Sequence, residues 1–154
     1  MRITKLTIKN FRGIREMELD FHEKMNVLIG INGAGKSSVL DAIATMLSWW
    51  NAFWHKMKGP IKWQGENFAI SDITNGAQET ACTLQLHIEG ETKQPQWTVG
   101  INRNGQCSSE MDMLLGNEFA TLRNTVWKLM DQCLEKDVSP PVLYYPINRT
   151  GVVE

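Results

Sequence analysis

Long apolar runs are missing from this sequence. No stretch approaches the ~20 consecutive apolar residues of a membrane-spanning helix, which predicts no membrane partner. The opening Met1-Arg2-Ile3-Thr4-Lys5 has no apolar core of the kind a secretory signal needs, so no signal peptide is expected. Cysteine is scarce: Cys82, Cys107 and Cys133 are odd in number, widely spaced and without a CxxC pair, which excludes a disulfide framework or a zinc site as a reading. His22, His55 and His87 lie far apart without ligand spacing and read as ordinary surface or packing residues. These features together predict a reducing, cytoplasmic setting. An excess of positive charge is also lacking. The net charge is −1, so composition carries no nucleic-acid footprint. Arg2, Lys5, Lys9, Arg12 and Arg15 make the start locally basic, mainly as solvated strand faces. Internal repeats and low-complexity tracts are absent. What remains is a chain of 154 residues, 42% hydrophobic, long enough for one domain or part of one. Its six tryptophans are many for this length and hint at burial that this chain alone does not complete.

The most informative stretch is Gly30-Ile31-Asn32-Gly33-Ala34-Gly35-Lys36-Ser37, which fits G-x-x-x-x-G-K-[ST], the Walker A phosphate-binding loop. Glycines at 30 and 35 allow a tight turn that brings backbone N–H groups onto phosphate oxygens. Lys36 reaches the β- and γ-phosphates as a point charge, and the Ser37 hydroxyl is placed for Mg²⁺. Context supports the motif. Met25-Asn26-Val27-Leu28-Ile29 before it reads as a short buried strand, and residues 36–54 after it read as a helix. A strand, a glycine-rich loop and a helix in that order aim a helix N-terminus at an anion.

The rest of the chain alternates between strand and helix periods. Residues 3–9 alternate, with Leu6 and Ile8 on one face. Asn10-Phe11-Arg12-Gly13 is a turn, and 14–21 place Met17, Leu19 and Phe21 opposite Glu16, Glu18 and Asp20, giving a hairpin with one wet face. The helix 36–54 carries Val39, Ile43, Met46 and Trp50, with Leu40, Leu47 and Trp54, as a core-facing stripe. Trp49, Trp50, Phe53 and Trp54 crowd its end, as core closure or as a partner surface. Residues 55–80, rich in breakers, read as a surface excursion. Cys82–Ile88 and Trp97–Ile101 alternate and form a second antiparallel pair. Helical spacing over 112–135 predicts a long amphipathic helix, stopped by Ser139-Pro140-Pro141. Val142-Leu143-Tyr144-Tyr145 is a short apolar strand. The expected fold class is α/β: a P-loop NTPase lobe with a partly antiparallel sheet, two hairpins plus the P-loop strand, and two main helices.

An antiparallel hairpin before the P-loop strand sets this pattern apart from small-molecule kinases and small GTPases, which open directly on that strand. Leu6-Thr7-Ile8-Lys9-Asn10-Phe11-Arg12-Gly13-Ile14, then residues Val27 to Ser38, then Leu40-Asp41-Ala42-Ile43 resemble the amino-terminal lobe of the SMC/RecF-like (ABC-type) ATPases, which include the overcoming-lysogenization-defect group. Ile73-Thr74-Asn75-Gly76-Ala77 and Leu143-Tyr144-Tyr145-Pro146-Ile147-Asn148-Arg149 resemble ATPases of bacterial anti-phage systems, of the Septu and retron-associated kind. The resemblance implies ATP and Mg²⁺ bound by Gly30, Asn32, Gly33, Ala34, Gly35, Lys36, Ser37 and Ser38. Ser37 would hold Mg²⁺, Asn32 would lie near the γ-phosphate, and Arg12 would help hold the phosphates or the base. It also implies a head-to-tail homodimer or larger assembly, in which the signature motif of one protomer closes the ATP of the other. DNA or a nuclease is the implied partner, with antiviral defence as a role. Asn148 or Arg149 would approach the γ-phosphate where relatives carry a Q-loop glutamine, although a plain strand exit accounts for them better.

Hydrolysis in this class requires a Walker B Asp for the metal and an adjacent Glu for the water, both at the end of an apolar strand. No apolar run followed by Asp-Glu occurs in the sequence, Leu19-Asp20 being the nearest and lying before the P-loop, and no Ser-Gly-Gly signature is found. No catalytic residue is therefore identified. Residues 1–154 are expected to be lobe I of a partial ATPase head that binds ATP and hydrolyses it poorly alone. The alternatives are a non-hydrolysing nucleotide-sensing scaffold module and a small-molecule kinase. The hairpin and the lack of an arginine-bearing lid argue against the kinase.

Overall fold

A computed structural model of the protein describes residues 2–58, 65–89 and 94–109. Its elements are β1 (Arg2–Phe11), β2 (Ile14–Asp20), α1 (Lys36–Lys58), a single 3-10 turn (Ile70–Asp72), β3 (Glu79–His87), β4 (Gln96–Asn102) and β5 (Cys107–Ser109). The strands form one five-stranded antiparallel sheet in the order β2-β1-β3-β4-β5. The period-2 pattern explains its two faces. Along β3 every second residue is buried, Thr80, Cys82, Leu84 and Leu86, and the partners on β1 and β4 are Leu6, Ile8, Trp97 and Val99. The outer edge, β2, shows Arg15, Glu16, Glu18 and Asp20 to solvent, and charges on an edge discourage pairing with another sheet.

Helix α1 covers the apolar face. Val39, Ala42, Met46 and Trp50 are buried at i, i+3, i+7 and i+11, a stripe that stays on one side of a 3.6-residue period. Leu40 is exposed, one 100° step off that stripe, so it does not belong to the core-facing set expected for it. Ile43, Leu47 and Trp49 are half-buried at the margin. The Trp50 ring stacks on Trp97 at 5.6 Å between centroids, and Trp97 Nε1 donates to the Met46 carbonyl at 3.1 Å. That bond satisfies the indole N–H inside the core, where leaving it unpaired is costly. Core closure is thus the role of Trp50. The side chains of Phe53 and Trp54 lie outside the described residues.

Both predicted antiparallel pairs are present, with β1–β2 closing at Phe11↔Ile14 and β3–β4 running from Glu79↔Asn102 to Gln85↔Gln96. The helix extends to Lys58, and Asn104-Gly105 leads into β5, a short strand the alternation did not reveal. One expectation fails. The strand expected over 25–29 does not form among the described residues: Val27 is 68% exposed and Ile29 90%. An apolar run is buried only where another layer covers it; here Leu28 packs against the core, while Met25, Val27 and Ile29 are exposed. The expected helix over 112–135, the strand 142–145, Asn148 and Arg149 fall outside the described residues.

Cys82 is buried between β1 and β4, and burial, with a smaller contribution from the charge of Asp72, pushes its thiol pKa up to about 12. Two outcomes follow from this core. Trp97→Ala should cost ~3–5 kcal/mol in denaturant unfolding, whereas Val27→Ser should stay within ~0.5 kcal/mol. The unfolded chain ionises Cys82 near pH ~8.5, but the folded chain holds it neutral until about 12. Its contribution is complete below the first value and is lost as pH rises toward the second. Unfolding midpoints should therefore fall over this alkaline window, and more steeply than in Cys82→Ala.

Candidate phosphate-binding site

The loop joins the first hairpin to α1 and folds over the start of that helix. Gly33 and Gly35 have φ of +86° and +87°, a region that residues with a Cβ enter only under strain. Gly30 is not in that region. Its place is explained by space, since a Cβ there would lie 3.2 Å from the Ala34 Cβ. The tight-turn role expected of Gly30 thus falls to Gly33. Alternating left- and right-handed conformations turn successive N–H groups to one side. The backbone N–H groups of Gly33, Gly35, Lys36, Ser37 and Ser38 have no backbone partner among the described residues, while Ala34 N–H bonds to the Ile31 carbonyl at 3.2 Å and Val39 N–H to the Gly35 carbonyl at 2.9 Å. The first turn of α1 contains no acidic residue. Donors without backbone partners and the positive end of a helix dipole therefore lie together at the start of α1.

Lys36 arches back over the loop, with Nζ donating to the carbonyls of Gly30 at 2.6 Å and Ile31 at 2.8 Å. Two of its three N–H donors are used, leaving one for an anion. Asn32, Gly33, Ala34 and Ser37 are exposed, and Gly35, Lys36 and Ser38 are half-buried. The eight loop residues expected to bind nucleotide thus form one continuous, accessible surface. The donors suit a polyphosphate. Among the described residues no group of three His, Cys, Asp or Glu is placed to hold a metal, so a Mg²⁺ ion here would depend on Ser37 and on the phosphates themselves.

Arg12 lies beside this surface and does not touch the loop through a hydrogen bond. It occupies the hairpin turn at φ +52°, unusual for a residue with a side chain. Its N–H donates to the Asp72 carbonyl at 2.6 Å, and its own carbonyl accepts from Thr74 Oγ1 at 2.8 Å. The guanidinium donates through Nε to Asp72 Oδ1 at 2.9 Å and through Nη1 to Asp41 Oδ2, and lies 4.9 Å from the centroid of the Phe11 ring. Partial burial lowers the guanidinium pKa, but the bonds to Asp72 and Asp41 outweigh it, so the net direction is upward. The turn also packs on the loop, because a Cβ at Gly35 would lie 3.3 Å from the Ile14 side chain. Asp41 and Asp72 were missed as site residues. Asp41 carried a signal, four residues after Ser37 and therefore on the same helix face. Asp72 carried none, since its approach depends on the 70–74 segment bridging at Phe11↔Ile73.

Comparison with known proteins agrees with this geometry. The family described as AAA ATPase domain matches residues 1–149. The chain is similar to the DNA replication and repair protein RecF of Enterobacter sp. strain 638, 37% identical over 95 residues, covering 60% of this chain and 26% of that protein. It is also similar to RecF of Lactococcus lactis subsp. cremoris strain MG1363, 30% identical over 91 residues, covering 58% and 25%. The chain thus spans about a quarter of the length of these curated relatives. In fold it is similar to the recombination mediator protein RecF bound to ATP, with a TM-score of 0.53 and 18% identity over 71% of this chain and 26% of that one. It is likewise similar to the SMC head domain from Thermotoga maritima, with a TM-score of 0.51 and 21% identity over 71% and 36%. At such identities the structural likeness is one of fold alone.

The two left-handed glycines separate in their response to a methyl group. Gly33→Ala meets no atom within 4 Å and should cost only its backbone strain, ~1–2 kcal/mol. Gly35→Ala also sets a Cβ 3.3 Å from the Ile14 side chain, which must shift by a few tenths of an ångström, so it should cost more than Gly33→Ala, and Ile14→Ala in the same chain should recover part of the difference. Denaturant midpoints of the three variants check this order.

Proposed function

The chain belongs to the AAA ATPase domain family, with the fold of the amino-terminal lobe of an SMC/RecF-type ATPase head, and from that premise we propose that residues 30–38 bind ATP together with Mg²⁺. The observation that carries this reading is the set of backbone N–H groups at Gly33 and 35–38, without backbone partners among the described residues, clustered at the start of α1 beside Lys36. Each feature favours negative charge, and together they match a triphosphate better than a single anion. Lys36 would transfer its ammonium from the loop carbonyls toward the β- and γ-phosphates. Ser37 would ligate Mg²⁺, whose chemistry is to neutralise charge as the terminal phosphoryl group leaves. Asn32, exposed at the rim, would face the γ-phosphate, and Arg12 would contribute from the hairpin turn.

We further read the chain as lobe I of a larger head. The sequence supplies no Asp-Glu pair at the end of an apolar run, and the exposed Met25, Val27, Ile29 and Ile31 are of the kind that ordinarily lies beneath a covering layer. ATP would then draw two heads together and govern a DNA-acting or nuclease partner. Support comes from a structural neighbour described in terms of ATP-driven dimerization and DNA-stimulated activation of SMC ATPases, and from a second, an Smc head bound to the C-winged helix domain of ScpA. Resemblance of 73–77 and 143–149 to anti-phage ATPases supports defence as the setting. The second reading is a nucleotide-sensing scaffold that never hydrolyses ATP, favoured by the same missing carboxylates.

Titration of the chain with Mg²⁺·ATP tests the first claim. Saturable binding is expected, weakened at least tenfold in Lys36→Ala through loss of a charge-assisted contact, with slow or undetectable phosphate release. Equal binding by wild type and Lys36→Ala would remove the P-loop reading. Turnover by the 154-residue chain in the ~1–10³ s⁻¹ range of ordinary enzymes, abolished by Lys36→Ala, would remove the partial-head reading.

A further inference from the structure

Among the described residues, one nitrogen of the Arg12 guanidinium is left without a hydrogen bond. Nε is taken by Asp72 and Nη1 by Asp41, while Nη2 makes no hydrogen bond among the described residues, and 39% of the side chain is exposed. Both carboxylates act on the same rigid plane, so the direction of the Nη2 N–H bonds is set before any ligand arrives. The backbone of Arg12 is pinned as well, at φ +52° between the Asp72 carbonyl and the Thr74 hydroxyl. A conformation of that kind persists only where its surroundings over-determine it.

The location gives this arrangement a use. Asp41 follows Ser37 by four residues on α1, so the two share a helix face about 6 Å apart along the axis. Side chains on a helix lean toward its N-terminus, which carries the Asp41 carboxylate, and the guanidinium on it, toward the loop. Ile14, two residues after Arg12, already packs at Gly35. From this geometry we propose that Asp41 and Asp72 are positioning residues that orient Arg12 so that Nη2 meets a phosphate oxygen of the bound nucleotide. The proposal rests on the P-loop reading above. It also resolves an electrostatic conflict. Two carboxylates near a phosphate site repel the ligand, and the Arg12 charge lies between them. Their presence is favourable if the orientation they impose outweighs that repulsion.

The sign of one substitution separates the two effects. If Asp41 acts only as a charge, Asp41→Ala should tighten binding of Mg²⁺·ATP. If it positions Arg12, Asp41→Ala should weaken binding about tenfold, the worth of one charge-assisted hydrogen bond. Arg12→Ala should weaken it equally, and the double variant should show no further loss, because both changes remove the same contact. Asp41→Glu should restore much of the affinity. Arg12→Lys keeps the charge but lacks the planar donor array that engages both carboxylates and still presents Nη2, so it should behave like Arg12→Ala. This variant also decides the question if Asp41→Ala does not fold. Tighter or unchanged binding in Asp41→Ala, additive losses in the double variant, or wild-type affinity in Arg12→Lys would each overturn the proposal. Lys36→Ala, titrated alongside, keeps the two claims apart: failure of wild type to bind, or equal binding by Lys36→Ala, defeats the P-loop reading itself, whereas its loss of binding beside an unaffected Asp41→Ala defeats only the positioning role.

Discussion

One guanidinium held between two carboxylates joins the parts of this lobe that sequence separates. Arg12 sits at the tip of the β1–β2 hairpin, Asp41 on the second turn of α1, and Asp72 in the segment that leads into β3. The ion pairs are partly shielded, with the Asp72 side chain 18% exposed, so solvent screens them less than it would a pair on an open surface. Removing Arg12 would take from the largely buried Asp72 carboxylate the cation it pairs with, which is the costly way to break such an arrangement. The turn, the helix start and the 70–74 segment are thereby fixed relative to one another, and the phosphate-binding loop lies where they meet.

The second constraint is the one-sided core. Alternation in β1, β3 and β4 turns their large apolar residues to one face, and α1 lies across that face with the Trp50–Trp97 stack near its middle. A helix anchored by its interior and far turns can leave its first turn uncovered. That freedom matters chemically, because the free N–H groups of a helix start lose their attraction for an anion when the protein itself satisfies them. The same sheet thus sets the helix axis and keeps its N-terminal end open.

Much of this was legible in the sequence, for definite reasons. Strict alternation in Cys82–Ile88 and Trp97–Ile101 leaves no helical alternative, and G-x-x-x-x-G-K-[ST] demands one backbone shape wherever it functions. Register, the short β5 and the partners of Arg12 were not legible, because they follow from contacts between residues far apart in the chain, such as Thr80 Oγ1 on the Lys9 carbonyl. The apolar run at 25–29 misled for a related reason. Composition records that a segment suits burial, but burial itself needs a neighbour, and among the described residues Leu28 has one in the core while Met25, Val27 and Ile29 stay exposed. Of the site, the loop could be read directly, whereas the carboxylates at 41 and 72 required the fold.

The central claim is that residues 30–38 are shaped to take a triphosphate. A crystal structure of the chain with Mg²⁺ and a non-hydrolysable ATP analogue tests it most directly. The phosphates should lie within hydrogen-bonding distance of the backbone N–H groups of Gly33, Gly35, Lys36 and Ser37, with Lys36 Nζ turned from the Gly30 and Ile31 carbonyls toward phosphate oxygen. A nucleotide bound elsewhere, with Lys36 still on those carbonyls and the loop N–H groups facing solvent, would contradict it.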